Sequence, residues 1–145
     1  MPPCNAAYLF MHNVLRRQNM HVDRKKFDAL VQSIARQVIE ELPADLRENA
    51  ERLIFVVEDR YRSARGRSDS DEDDLLGLYE GIPLTERSVS DTFTGPERIT
   101  IFRAPLIEMC HSLRELREEI RVTIIHEMGH YFGFDEDDLE ERGLE

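Results

Sequence analysis

Near the end of the chain, Thr123 to Leu139 read TIIHEMGHYFGFDEDDL, and within this stretch His126, Glu127 and His130 spell H-E-x-x-H. On a helix, side chains four apart stand one above the other, so the two imidazoles can reach a single ion. Glu127 is turned about 100° from His126, which sets its carboxylate beside the ion rather than across the helix. A zinc hydrolase needs this arrangement: two neutral imidazoles as ligands, and a carboxylate general base for the water that the metal acidifies. The plainer alternative is two solvated histidines on a surface helix. The surroundings favour the metal, because the apolar residues of the same helix point elsewhere and Gly133 stands where a helix needs a left-handed cap.

Extending the pattern gives H-E-x-x-H-x-x-G-x-x-E, with Glu136 at the spacing where zincins that turn on a glycine place their last ligand. A turn at Gly133 can bring a carboxylate back beneath the ion, so the metal set reads His126, His130 and Glu136, with Glu127 as the catalytic base. Asp135 and Asp137 are chemically equivalent neighbours, and the assignment to Glu136 rests on spacing. His111 lies about 22 Å from His126 if one helix spans both, which excludes it. His12 and His21 stand near the N-terminus, where lone histidines are usually solvated.

The helix that mounts the motif begins near Met109 or His111. Leu113, Leu116, Ile120, Ile124, Met128 and Tyr131 fall on one broad face, widened by Ile125 and Phe132, and the histidines lie on the opposite side. Val122 and Gly129 flank the histidine face, and the glycine there leaves room for a substrate or a crossing strand. Earlier in the chain, Asp23 reads as an N-cap between Val22 and Phe27. Phe27, Leu30, Val31, Ile34, Val38 and Leu42 then repeat at helical spacing until Pro43. A helical turn is expected over Asp45 to Ala50. Leu53 to Val57 is an apolar, β-branched run read as a central buried strand. Leu75 to Leu84, broken by Gly77, Gly81 and Pro83, belongs at the rim of a sheet, and Arg98 to Phe102, RITIF, alternates as a further strand. Residues 1–19 read as an N-terminal extension and 20–145 as the domain. Arg60 to Asp74 runs from arginines into acids and reads as an exposed loop.

At 145 residues the chain holds one domain with a real core. Its 30 acidic and 19 basic residues give a net charge of −11, which argues against nucleic acid or an anionic membrane as partner. The acids concentrate in Asp69 to Asp74 and Asp135 to Glu141. Two cysteines, Cys4 and Cys110, lack the spacing of a zinc knuckle or a redox pair and fit a reducing cytoplasm. No stretch has the pattern of a signal peptide or a membrane span. A cytoplasmic monomer is expected.

The combination of ELP at 41–43, LLGLYEGIPLTERS at 75–88, RITIF at 98–102 and HEMGHYFGF at 126–134 resembles the small bacterial zincin-like metallopeptidases, often described as minimal zincins. The resemblance covers about Phe27 to Gly143. It implies an α+β zincin-like single domain, a small mixed sheet with an N-terminal helix and a C-terminal active-site helix. It also implies His126 and His130 as zinc ligands and Glu127 as general base. The family commonly carries aspartate where this chain has Glu136, which leaves Asp135 and Asp137 in play. The expected activity is zinc-dependent hydrolysis of a peptide or protein substrate. The alternative is a metal- or peptide-binding module on the same scaffold without turnover. Tyr79 is a candidate oxyanion donor by position.

Overall fold

Helix α1, Arg24–Glu41, begins at its expected cap. The Asp23 carboxylate accepts a hydrogen bond from the Lys26 N–H, and Val22 and Phe27 on either side of it are both buried. Phe27, Val31, Ile34, Ala35 and Val38 form its buried stripe, and the helix stops before Pro43, which has no N–H to continue it. A short helix α2, Ala44–Ala50, follows. This computed structural model describes residues 20–62, 75–90 and 97–143. The expected N-terminal extension and most of the arginine-to-acid loop fall outside those residues.

Among the described residues, three strands, β1 (Ile54–Glu58), β2 (Gly77–Glu80) and β3 (Arg98–Phe102), form a mixed sheet in the order β1-β3-β2. β3 runs parallel to β1 and antiparallel to β2. The expectation of a central strand at Leu53 to Val57 is therefore corrected. RITIF takes the centre with Ile99, Thr100, Ile101 and Phe102 all buried, whereas Ile54 on β1 is 46% exposed. β1 is an edge, and its outward carbonyls are covered by helix α1. The Phe55 carbonyl accepts from the Gln32 side-chain amide at 2.8 Å, and the Val57 carbonyl from the Arg24 guanidinium at 3.0 Å. A helix thus blunts this edge against pairing with another strand. β2 lies at the other rim, as its glycines and proline suggested, and is followed by a single 3-10 turn over Leu84–Glu86.

β3 leads directly into α3, Arg103–Met109, a short helix not anticipated from the sequence. Pro105 fits its first turn, where an N–H has no partner within the helix. Helix α4, Leu113–Phe132, is capped by Ser112, whose hydroxyl accepts from the Glu115 N–H, while Glu115 accepts from the His111 N–H. α1 and α4 pack against each other and on the sheet, α1 over β1 and α4 over β2 and β3. The last helix, α5 (Glu136–Glu141), occupies what read as an acidic tail. Its N-cap Asp135 and Asp138 exchange hydrogen bonds in a capping box, and Glu136, Asp137 and Asp138 sit in the first turn, where the helix dipole favours them. Among the described residues, no helix is long and apolar enough to cross a membrane. The whole is an α+β domain with the expected small mixed sheet, N-terminal helix and C-terminal motif-bearing helix.

Candidate metal centre

α4 lies along β2, and one stripe of the helix, Thr123, Glu127 and Tyr131, meets one face of the strand at Gly77 and Tyr79. Gly77 permits the close approach: a Cβ there would stand 2.6 Å from Thr123 Cγ2 and 3.2 Å from Glu127 Cγ. Further along, the Tyr79 and Tyr131 rings meet edge to face with centroids 5.5 Å apart. This packing buries Glu127 to 8% exposure and carries its carboxylate to the rim of the sheet, where Oε2 accepts a 2.8 Å hydrogen bond from the Tyr79 backbone N–H.

His126 and His130 stand one position round the helix from that stripe and are exposed. Their Nε2 atoms lie 3.2 Å apart, with the rings nearly perpendicular at 88°. Two nitrogens, each about 2.0–2.1 Å from a tetrahedral ion, sit about 3.3 Å apart, so the imidazoles already have the bite of a zinc site. A ligand atom of each of His126, Glu127 and His130 lies within 4.8 Å of the others. His130 falls in the last turn of α4, where the carbonyl end of the helix favours a cation. The donor set and its geometry fit a divalent metal such as zinc.

The turn after the motif is built as the glycine implied. Gly133 caps α4 in the left-handed region at φ 76° and packs against Thr85, whose side chain occupies the space a Cβ would need. Gly129, read as room for a substrate or a crossing strand, is instead filled by Leu139 of α5; a Cβ there would stand 2.9 Å from Leu139 Cδ1. Leu139 thereby docks α5 against α4. Glu136, the first residue of α5, is exposed and stands outside the His126, Glu127 and His130 group. Of its neighbours, Asp135 is engaged in the capping box with Asp138, while Asp137 is exposed.

Other sequence candidates have separate roles. The Tyr79 hydroxyl donates to the Ile82 carbonyl at 3.2 Å and helps to close the chain after β2. Tyr131 is buried, its hydroxyl donates to the Asn49 carbonyl at 3.1 Å, and the Arg87 guanidinium lies 5.8 Å from its ring centroid. Burial holds this phenol's pKa above its ordinary value, against the opposing pull of Arg87. His111 precedes the N-cap of α4 and is exposed, as is His21 ahead of α1. His12 lies outside the described residues.

The role of the Tyr79 N–H was not visible in the sequence, because a backbone donor has no residue-type signature. Its orientation follows from the strand register. The Phe102 N–H donates to the Leu76 carbonyl, so the Gly77–Ile101 and Tyr79–Ile99 pairs are the non-hydrogen-bonded ones and both β2 residues turn their backbone groups outward. Tyr79 meets Glu127 there, and no described residue takes up the Gly77 N–H or the Tyr79 carbonyl. A cleft runs from His126 and Glu127 along α4, between Val122 on the helix and Leu75 and Leu76 ahead of β2.

No curated protein matches the sequence. The family model of the zincin-like metallopeptidases matches residues 50–144, from the end of α2 through β1, β2, β3 and α4 to the residues after α5. With a match over well more than half of its length, and with the H-E-x-x-H group on the helix that lies along the sheet edge, the chain belongs to the zincin-like metallopeptidase family.

Proposed function

We propose that this protein is a zinc-dependent peptide hydrolase. The observation that carries the reading is the pairing of two imidazoles at a zinc bite with a buried carboxylate held beside them by a backbone N–H. His126 and His130 would hold Zn²⁺, and Glu136, exposed at the start of α5, would be the third donor by its spacing from His130. Glu136 is favoured over Asp135 because the Asp135 carboxylate is engaged in the helix cap. Bound zinc would supply Lewis acidity for the attacking water and for the scissile carbonyl.

Glu127 takes the proton from the attacking water and passes it to the leaving amine. The Tyr79 N–H fixes Oε2 of the carboxylate, and Oε1, which no described residue engages, is left to take the proton. The peptide lies extended along β2 by strand addition. This is supported by the contrast between the two rims: α1 side chains take the β1 carbonyls, while the outward Gly77 N–H and Tyr79 carbonyl meet no described residue.

Zinc titration tests the site. The wild-type chain should bind one equivalent, and His126→Ala should lose tight binding. Glu136→Gln should weaken binding more than Asp137→Asn does. A purified chain unable to take up zinc at neutral pH would instead favour a binding module on the same scaffold.

A further inference from the structure

We infer that the centre selects a lysine or arginine side chain beside the scissile bond, and that Glu119 sets this preference. The inference rests on the reading of the site as a peptide hydrolase.

The open cleft beside His126 and Glu127 offers about 370 Å³, room for one long side chain. Its walls are apolar: Leu75 and Leu76 on one side, and Val122, 43% exposed, on the other. Glu119 also lines it, two helical turns before His126 and about 10.5 Å away along the axis. Among the described lining residues, Glu119 and Glu127 are the two that carry a formal charge. Glu119 is half-buried, and none of the ion pairs among the described residues involves it. The Thr123 hydroxyl, which also faces this region, is already satisfied by the Glu119 carbonyl at 2.7 Å.

An apolar side chain filling this cleft would cover the walls but strip water from Glu119 without giving it a partner. Lysine resolves both demands, since its methylene stem covers apolar surface while its ammonium reaches the carboxylate. Arginine does the same with a longer stem. The net charge of −11 adds a longer-range attraction for cationic peptides.

The test uses end-blocked, fluorescein-labelled alanine octapeptides carrying a single lysine, norleucine or glutamate at scanned positions. Norleucine keeps the four-carbon stem of lysine and removes the charge. In anisotropy titrations of the zinc-loaded Glu127→Gln chain at physiological salt, lysine at one position should bind about tenfold tighter than norleucine, and glutamate should bind weakest. Adding Glu119→Gln should bring lysine to within about twofold of norleucine, and Glu119→Lys should turn the preference toward glutamate. Equal or tighter binding of norleucine overturns the inference, as does a lysine preference that survives Glu119→Gln. Hydrolysis of the same peptides by the wild-type chain separates the two levels. Cleavage without lysine preference refutes the cleft assignment and leaves the peptidase reading standing. Lysine-selective binding without cleavage does the reverse.

Discussion

Replacing Gly77 with alanine puts a methyl carbon between the two surfaces that hold Glu127. The new Cβ would stand 2.6 Å from Thr123 Cγ2 and 3.2 Å from Glu127 Cγ. Carbon atoms in good contact sit about 3.5–4.0 Å apart, so the first overlap is about 1 Å. Thr123 cannot turn away freely, because it is a buried β-branched residue on a helix and its hydroxyl donates to the Glu119 carbonyl. Relief therefore comes from moving α4 off β2, at an overpacking cost of about 1–3 kcal/mol. Loss of glycine's unfolded-state freedom offsets roughly 0.5–1 kcal/mol of that. Net destabilisation of about 1–2 kcal/mol should appear in urea unfolding. Thr123→Ser keeps the hydroxyl and removes the clashing methyl, so the double variant should recover about 1 kcal/mol relative to the sum of the singles. The same displacement lengthens the bond from Tyr79 to Glu127, and hydrolysis should fall in Gly77→Ala and return in the double variant. A neutral or stabilising Gly77→Ala, or strictly additive effects, would refute the reasoning.

Leu139→Ala should loosen α5 without unfolding the domain, since Leu139 is the buried residue of that helix. Local stability should fall by about 2 kcal/mol, read as faster amide exchange over 136–141, and zinc affinity should drop if Glu136 is a ligand. Burial, reinforced by Glu119 and Glu115, pushes the Cys110 thiol from 9.0 up to about 11. In a Cys4→Ser chain, iodoacetamide should label Cys110 slowly at pH 8 until urea unfolds the protein, and rapid labelling of the folded chain would contradict this. Because the folded value lies above the unfolded one, the stability linked to the neutral thiol is present below pH 9. It is lost as the pH rises toward about 11, which urea midpoints across that range should record.

What was legible in the sequence depended on signals repeated over many residues or enforced by backbone geometry. α1 and α4 announced themselves through long apolar stripes, the Asp23 cap and the Pro43 stop, and Gly133 through its left-handed position. α5 was not legible because one buried leucine cannot establish a period and its acids read as a tail. β1 was misplaced because an apolar run does not reveal whether its second side meets a strand or the side chains of Gln32 and Arg24. At the site, the spacing of His126, Glu127 and His130 was enough to bring the three side chains together, the histidines exposed and Glu127 buried at the rim of the sheet. The partner of Glu127 was hidden because it is the Tyr79 backbone N–H, whereas the Tyr79 hydroxyl closes on Ile82.

The most direct test of the account is peptide hydrolysis by zinc-loaded Glu127→Gln beside the wild-type chain on a random peptide library. Glutamine nearly preserves the shape and can still accept from the Tyr79 N–H, but it cannot take up the proton. The account predicts one zinc retained and turnover lowered by at least about a hundredfold. Wild-type turnover in the variant, or no cleavage of any library peptide by the zinc-loaded wild-type chain, would contradict it.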